Sequence, residues 1–111
     1  MSIERIVKAL VGLGLTQKDV LVYIFLAKNG PQEEREITEI LGFHVRQTMH
    51  SLSNLQDMEI VKVIGENPVQ YFAIPFEEVI DLFIEVKKEQ TKKMKEKRED
   101  LLLKWKTILK R

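Results

Sequence analysis

With 111 residues, 44% of them apolar and 32% charged, the chain has room for one domain with a modest core, and its longest apolar run, residues 20–27, is far too short to span a bilayer. It contains no cysteine, which excludes a disulfide framework, a thiol nucleophile and a Cys-based zinc site, and Glu4 and Arg5 break up the N-terminal apolar residues, so no secretory signal is expected and the expected location is cytoplasmic. The net charge of +1 is unevenly spread: residues 1–75 carry seven Lys and Arg against nine Asp and Glu, giving −2, and residues 76–111 carry eleven against eight, giving +3.

Ser2 is a candidate N-cap for a first helix on which Ile3, Ile6, Val7, Leu10 and Val11 recur at helical spacing, ending within residues 12–14. The GLGLTQ that follows has the outline of a dinucleotide-binding loop, but it lacks the third glycine and follows a helix rather than a strand, so that reading is rejected. Thr16 with Asp19 gives a capping-box start. VLVYIFLAK is then apolar on almost every face until Asn29-Gly30-Pro31 stops it, the pattern of a central helix buried on several sides. After a short extended link at residues 31–34, residues 35–41 predict a compact helix with Ile37, Ile40 and Leu41 inward and Gly42 at its stop.

The next helix begins at His44 or Val45 and runs to Met58, and two helices joined by a tight, Gly-containing turn form a helix-turn-helix pattern. Val45, Thr48, Met49, Leu52, Leu55 and Met58 share one side of it at three- and four-residue spacing, as a core stripe does. The opposite side carries Arg46, Gln47, His50, Ser53, Asn54 and Asp57, rich in donors and acceptors and nearly free of the Lys/Glu pairs that solvate a helix. An ordinary polar face has the same outline; a face that reads bases needs these groups, because Arg suits guanine and Asn or Gln suits adenine in a major groove.

Past Met58 the period changes: residues 60–64, IVKVI, and 69–74, VQYFAI, are β-rich runs flanking Gly65-Glu66-Asn67-Pro68, a hairpin in the position of a wing. From Pro75 onward a single helix of roughly 50 Å is expected. Its apolar stripe has two ends: Phe76, Val79, Ile80, Phe83 and Ile84, then Leu101, Leu102, Trp105, Ile108 and Leu109, with Met94 alone between them on that face. So long a helix cannot lie along so small a domain, so the distal patch calls for a partner. A second copy, parallel or antiparallel, gives a two-fold dimer suited to palindromic DNA; a hidden break, or docking of the patch on the first helix, is the other possibility. The fold class read from these elements is mainly α with a small β-hairpin: a winged helix-turn-helix over residues 1–75, followed by a long C-terminal dimerisation helix over residues 76–111.

The order LGLTQKDVLVYIFLAKNGPQEEREITEILGF, the helix to Met58, then IVKVIGENPVQYFAIPFEEVIDLFIE resembles the N-terminal winged helix-turn-helix of TrmB-type transcriptional regulators, common in archaea, with MarR-type regulators a near relation. The likeness covers residues 13–85. Its most specific pieces are Leu13-Gly14-Leu15-Thr16, Gly30-Pro31, and Tyr71 with Ala73, Pro75, Glu77 and Glu78. It implies DNA binding, dimerisation and transcriptional control. The family's DNA-facing positions carry over to the start of the second helix of the pair and to the wing. There His44, Val45, Arg46 and Gln47 replace a Pro-Arg-Ser-Lys-like run, Met49 replaces a frequent tyrosine, Glu59 replaces a usual glycine, and the wing tip Glu66-Asn67-Pro68-Val69-Gln70 is not basic. The sequence stops after the long helix, so the resemblance does not extend to the family's sugar-binding domain.

His44 and His50, six residues apart, do not share a helix face as a metal pair does, and Glu33, Glu34, Glu36 and Glu39 suit a helix N-terminus better than a paired-carboxylate site. No P-loop, catalytic triad or metal-ligand spacing is present, so neither an enzyme nor a cofactor is expected, and no residue identifies an effector site. The sequence therefore predicts a homodimeric regulator of double-stranded DNA. Arg46, Gln47, His50 and Asn54 would read the major groove, Asn67 and Gln70 would approach the backbone or minor groove, and Met94, Leu101, Leu102, Trp105, Ile108 and Leu109 would form the dimer seam. The alternative is the same fold serving as a protein-interaction module with weak or no DNA binding, which the −2 charge of residues 1–75 motivates.

Overall fold

The structure, a computed structural model, describes residues 2–110. Its elements are α1 (Ser2–Gly12), α2 (Gln17–Asn29), α3 (Glu34–Leu41), α4 (Val45–Asp57), β1 (Val61–Ile64), β2 (Gln70–Ala73) and α5 (Phe76–Leu109). The protein is mainly helical, a winged helix-turn-helix with one antiparallel hairpin and a long C-terminal helix, and it divides after Phe76 into two compact units.

In the first unit α2 is the hub. Thr16 Oγ1 accepts from the Asp19 N–H at 3.0 Å and Asp19 Oδ2 accepts from the Thr16 N–H at 3.1 Å, so the first turn satisfies two of its own donors. Gly30, at φ 76°, ends the helix and donates its N–H to the Leu26 carbonyl. Between these caps Val20, Val22, Tyr23, Phe25 and Leu26 are buried, and α1, α3, α4 and β2 pack around them. The apolar pattern has its physical counterpart here: several faces meet different neighbours, and the side carrying Leu21, 37% exposed, stays open.

Helix α3 buries Ile37 and stops at Gly42, which takes the left-handed conformation at φ 69°. Ile40, expected inward, is 67% exposed. Around the buried Ile37, the half-buried Glu34, Thr38 and Leu41 define the inward stripe, Glu36 being half-buried at the cap instead, and Ile40 lies about a hundred degrees from its middle. Polar groups fix this rotation. The Thr38 and Thr48 hydroxyls are 2.8 Å apart and Thr38 also reaches the Glu34 carboxylate. A carboxylate can only accept, so Thr38 gives its single proton to Glu34 and accepts from Thr48, which ties α3 to α4.

The hairpin pairs Val61 with Ala73, Lys62 with Phe72, Val63 with Tyr71 and Ile64 with Gln70. Ile60, Val61 and Ile74 are buried at its base, where Ile74 N–H donates to the Ile60 carbonyl at 3.0 Å. The link before α3 is more than a connector: Gln32 N–H donates to the Tyr71 carbonyl at 2.9 Å and Tyr71 N–H to the Gln32 carbonyl at 2.8 Å, so one residue covers the free edge of β2. Tyr23, 3% exposed, donates its hydroxyl to the Ile74 carbonyl at 2.7 Å and fixes the hairpin base to α2.

In the second unit α5 runs unbroken, and every residue from 84 to 110 is exposed. The hidden break considered from the sequence is absent. No helix among the described residues is long and apolar enough to cross a membrane.

Candidate nucleic-acid interface

Helix α4 is held at both ends. His44 is its N-cap, and its N–H donates to Gln47 Oε1 at 3.2 Å. At the other end Ile60 N–H reaches back to the Leu55 carbonyl at 2.9 Å while Glu59 sits at φ 63°, a left-handed stop that normally selects glycine. Glu59 is the position where the family resemblance expects that glycine.

The buried side of α4 is Thr48, Ser51, Leu52 and Leu55. This corrects the predicted stripe: Val45 is 57% and Met49 45% exposed, Met58 is half-buried, and Ser51 takes a core position. Apolar character alone favours Val45 and Met49. The packing instead turns Thr48 toward Thr38 and buries the small Ser51.

Opposite that side, Arg46, His50, Ser53 and Asp57 are exposed and Gln47 and Asn54 half-buried. Arg46 has no hydrogen-bond or ion-pair partner among the described residues, so its guanidinium is available in full. Gln47 spends its carbonyl oxygen on the His44 cap, leaving its amide N–H groups as the free part. His50 Nε2 and Asn54 Nδ2 lie 3.4 Å apart and present a joined pair one turn further along. Across residues 40–56 Arg46 is the only charged residue in a chain that is 32% charged, and the one carboxylate on this helix, Asp57, stands at its last residue, about three turns from Arg46, so the N-terminal turns present no acid to an approaching polyanion.

Two cations that the sequence alone does not single out join the surface. Lys18 Nζ lies 5.7 Å from the centroid of the Phe43 ring, and Phe43 immediately precedes the α4 cap, so a second positive charge stands at the end of the helix that carries Arg46. Only the fold brings residue 18 beside residue 43, and no local pattern signals it. Lys62 is exposed on β1 and is the one cation of the hairpin. At the wing tip Asn67 is exposed and Gln70 half-buried. Gly65 turns there at φ 77°, and a Cβ on it would stand 2.7 Å from the Pro68 carbonyl oxygen, so the tight tip requires glycine. No group of three His, Asp or Glu among the described residues is placed to hold a metal.

A sequence model of the sugar-specific transcriptional regulator TrmB matches residues 10–77. The chain belongs to the TrmB family. The match takes in α2, the helix-turn-helix and the hairpin of this TrmB-family chain, and ends at the start of α5. Solved structures of similar fold include a possible transcriptional regulator from Methanosarcina mazei Go1, with a TM-score of 0.64, 13% identity, and 90% of this chain and 88% of that one covered. A MarR-family transcriptional regulator from Silicibacter pomeroyi has a TM-score of 0.57 at 13% identity, covering 92% of this chain and 75% of that one. The Zalpha domain of Carassius auratus PKZ, solved in complex with Z-DNA, has a TM-score of 0.50 at 24% identity over 52% of this chain and 94% of that domain. At these identities the likeness is one of fold. No curated protein sequence matches the chain significantly.

Proposed function

We propose that this TrmB-family protein regulates transcription as a homodimer that binds a specific double-stranded DNA site, with α4 in the major groove. The observation that carries the reading is the carboxylate-free surface of residues 40–56, with the unpartnered Arg46 guanidinium and the His50–Asn54 pair on a helix capped at both ends. Arg46 contacts a guanine edge, Asn54 and His50 the bases one turn further along, and Gln47 donates from its amide. Lys18 and Lys62 contact phosphates on either side of the groove, and Asn67 and Gln70 approach the backbone from the wing. Much of the acidic balance of residues 1–75 lies away from the N-terminal turns of α4: Glu33, Glu34, Glu36 and Glu39 are on and just before α3, and the one acid on α4, Asp57, is its last residue.

The dimer is proposed to form through α5, whose Met94, Leu101, Leu102, Trp105, Ile108 and Leu109 are all exposed. Charge favours an antiparallel second copy as the occupant of this face. Residues 77–89 hold five acids and two lysines, whereas residues 90–110 hold eight Lys and Arg against three acids, so antiparallel pairing sets each half against its opposite.

The test is fluorescence anisotropy of the full chain on a site selected from a random duplex library, beside a scrambled duplex, across a salt series. Tighter binding to the selected site is expected, with a slope of about −4 to −5 in log affinity against log salt for a dimer neutralising about four to six phosphates. Equal, feeble binding to every duplex would refute the reading and leave the protein-interaction module.

A further inference from the structure

We propose that Val45 and Met49 read thymine methyl groups, so that the site of this protein carries a thymine beside the base contacted by Arg46. The inference rests on the DNA-binding reading above and adds a chemical readout to it.

Three observations point to it. Apolarity alone places both side chains in the core, yet the packing of Thr48, Ser51, Leu52 and Leu55 turns them outward, to 57% and 45% exposure. They stand one helical turn apart, as a row directly beside the row of Arg46 and His50, in the first two turns of α4. A reading helix contacts base edges with those N-terminal turns. Finally, no charged group lies among them, since Arg46 is the only charge across residues 40–56, so the pair can be desolvated without stranding an ion.

The chemistry fits one feature of the groove. The thymine C5-methyl is the only apolar group that the bases present in the major groove, and an apolar side chain against it removes both from water. Single exposed apolar residues are ordinary on a protein surface. Two on the same two turns as the free guanidinium, in a helix otherwise polar on that side, form a combined surface that hydrogen-bonds one base and is apolar toward its neighbour.

The experiment replaces thymine by uracil, which removes the methyl and keeps every hydrogen bond. In the selected site each thymine is exchanged in turn, and affinity is measured for the native chain, for Met49→Ala and for Val45→Ala, with circular dichroism to verify folding. At one or two positions per half-site the native chain is expected to bind about fourfold more weakly for each methyl removed. Met49→Ala or Val45→Ala is expected to be weaker on the thymine site and indifferent to uracil at that same position, a coupling that general destabilisation does not produce. Met49→Leu should keep the sensitivity. A selected site that is bound tightly but tolerates uracil everywhere, or a uracil penalty that persists in both alanine variants, would overturn the methyl readout and leave DNA binding standing. Failure of the library to enrich any sequence would overturn the DNA reading, and this proposal with it.

Discussion

Replacing Tyr23 by Phe isolates one hydrogen bond whose removal should be visible twice, once at neutral pH and once as a change in pH dependence. The Tyr23 hydroxyl donates to the Ile74 carbonyl at 2.7 Å from a side chain only 3% exposed, and burial pushes its pKa from 10.0 up to about 12. Phe keeps the packing and leaves the carbonyl without this donor, so Tyr23→Phe should cost about 1–2 kcal/mol at pH 7. The folded pKa lies above the unfolded one, so the neutral phenol's stabilisation is fully present below pH 10 and is lost as pH rises from 10 through about 12. With those two values, the native chain gives up about 1.4 kcal/mol by pH 11 that the Phe variant never had. Urea unfolding followed by circular dichroism at pH 7, 9, 10 and 11 is the assay; lysines titrate in both proteins and cancel in the difference. The gap between the two should be near its full value at pH 7 and 9 and close to nil at pH 11. A gap that stays constant from pH 7 to 11, or no gap at pH 7, would refute the reasoning that this buried bond fixes the hairpin base to the central helix.

Arg46→Ala should weaken binding to the selected site by about 1–3 kcal/mol and relax specificity at one base position, read by anisotropy on single-base variants of the site. Lys18→Ala should instead weaken all duplexes alike and make the salt slope about one unit shallower for each phosphate that is no longer neutralised. Glu59→Gly should stabilise the fold by about 0.5–1 kcal/mol in urea unfolding, because Glu59 occupies φ 63°, where a Cβ is unfavourable. Leu101→Glu with Trp105→Glu should give a monomer by light scattering while the helical circular dichroism signal persists; a doubly substituted chain that is still dimeric would move the seam away from the exposed end of α5.

Local chemistry carried the order and ends of the elements. Thr16 with Asp19, Gly30-Pro31, Gly42 and Gly65 are positions where a cap or a left-handed turn is written in the residue itself, and each stands where the backbone needs it. The continuous apolarity of α2 marked it as the hub for the same reason. Rotation about a helix axis was less legible. Ile40, Val45 and Met49 are apolar and by that measure belong inward, but two threonine hydroxyls join α3 to α4 and Ser51 is buried on α4, and the polarity of these residues hides their burial.

The sequence by itself determined which segments are helix, turn and hairpin, and that Arg46, His50 and Asn54 share one side of α4, because caps and periodicity act over a few residues. Only the tertiary structure decided what those segments meet. It brought Lys18 to Phe43, laid Gln32 along the edge of β2, joined Tyr23 to Ile74 and turned Val45 and Met49 outward. These contacts join residues distant in the chain or depend on which face the packing selects, and burial is a property of the assembled surface rather than of any residue type.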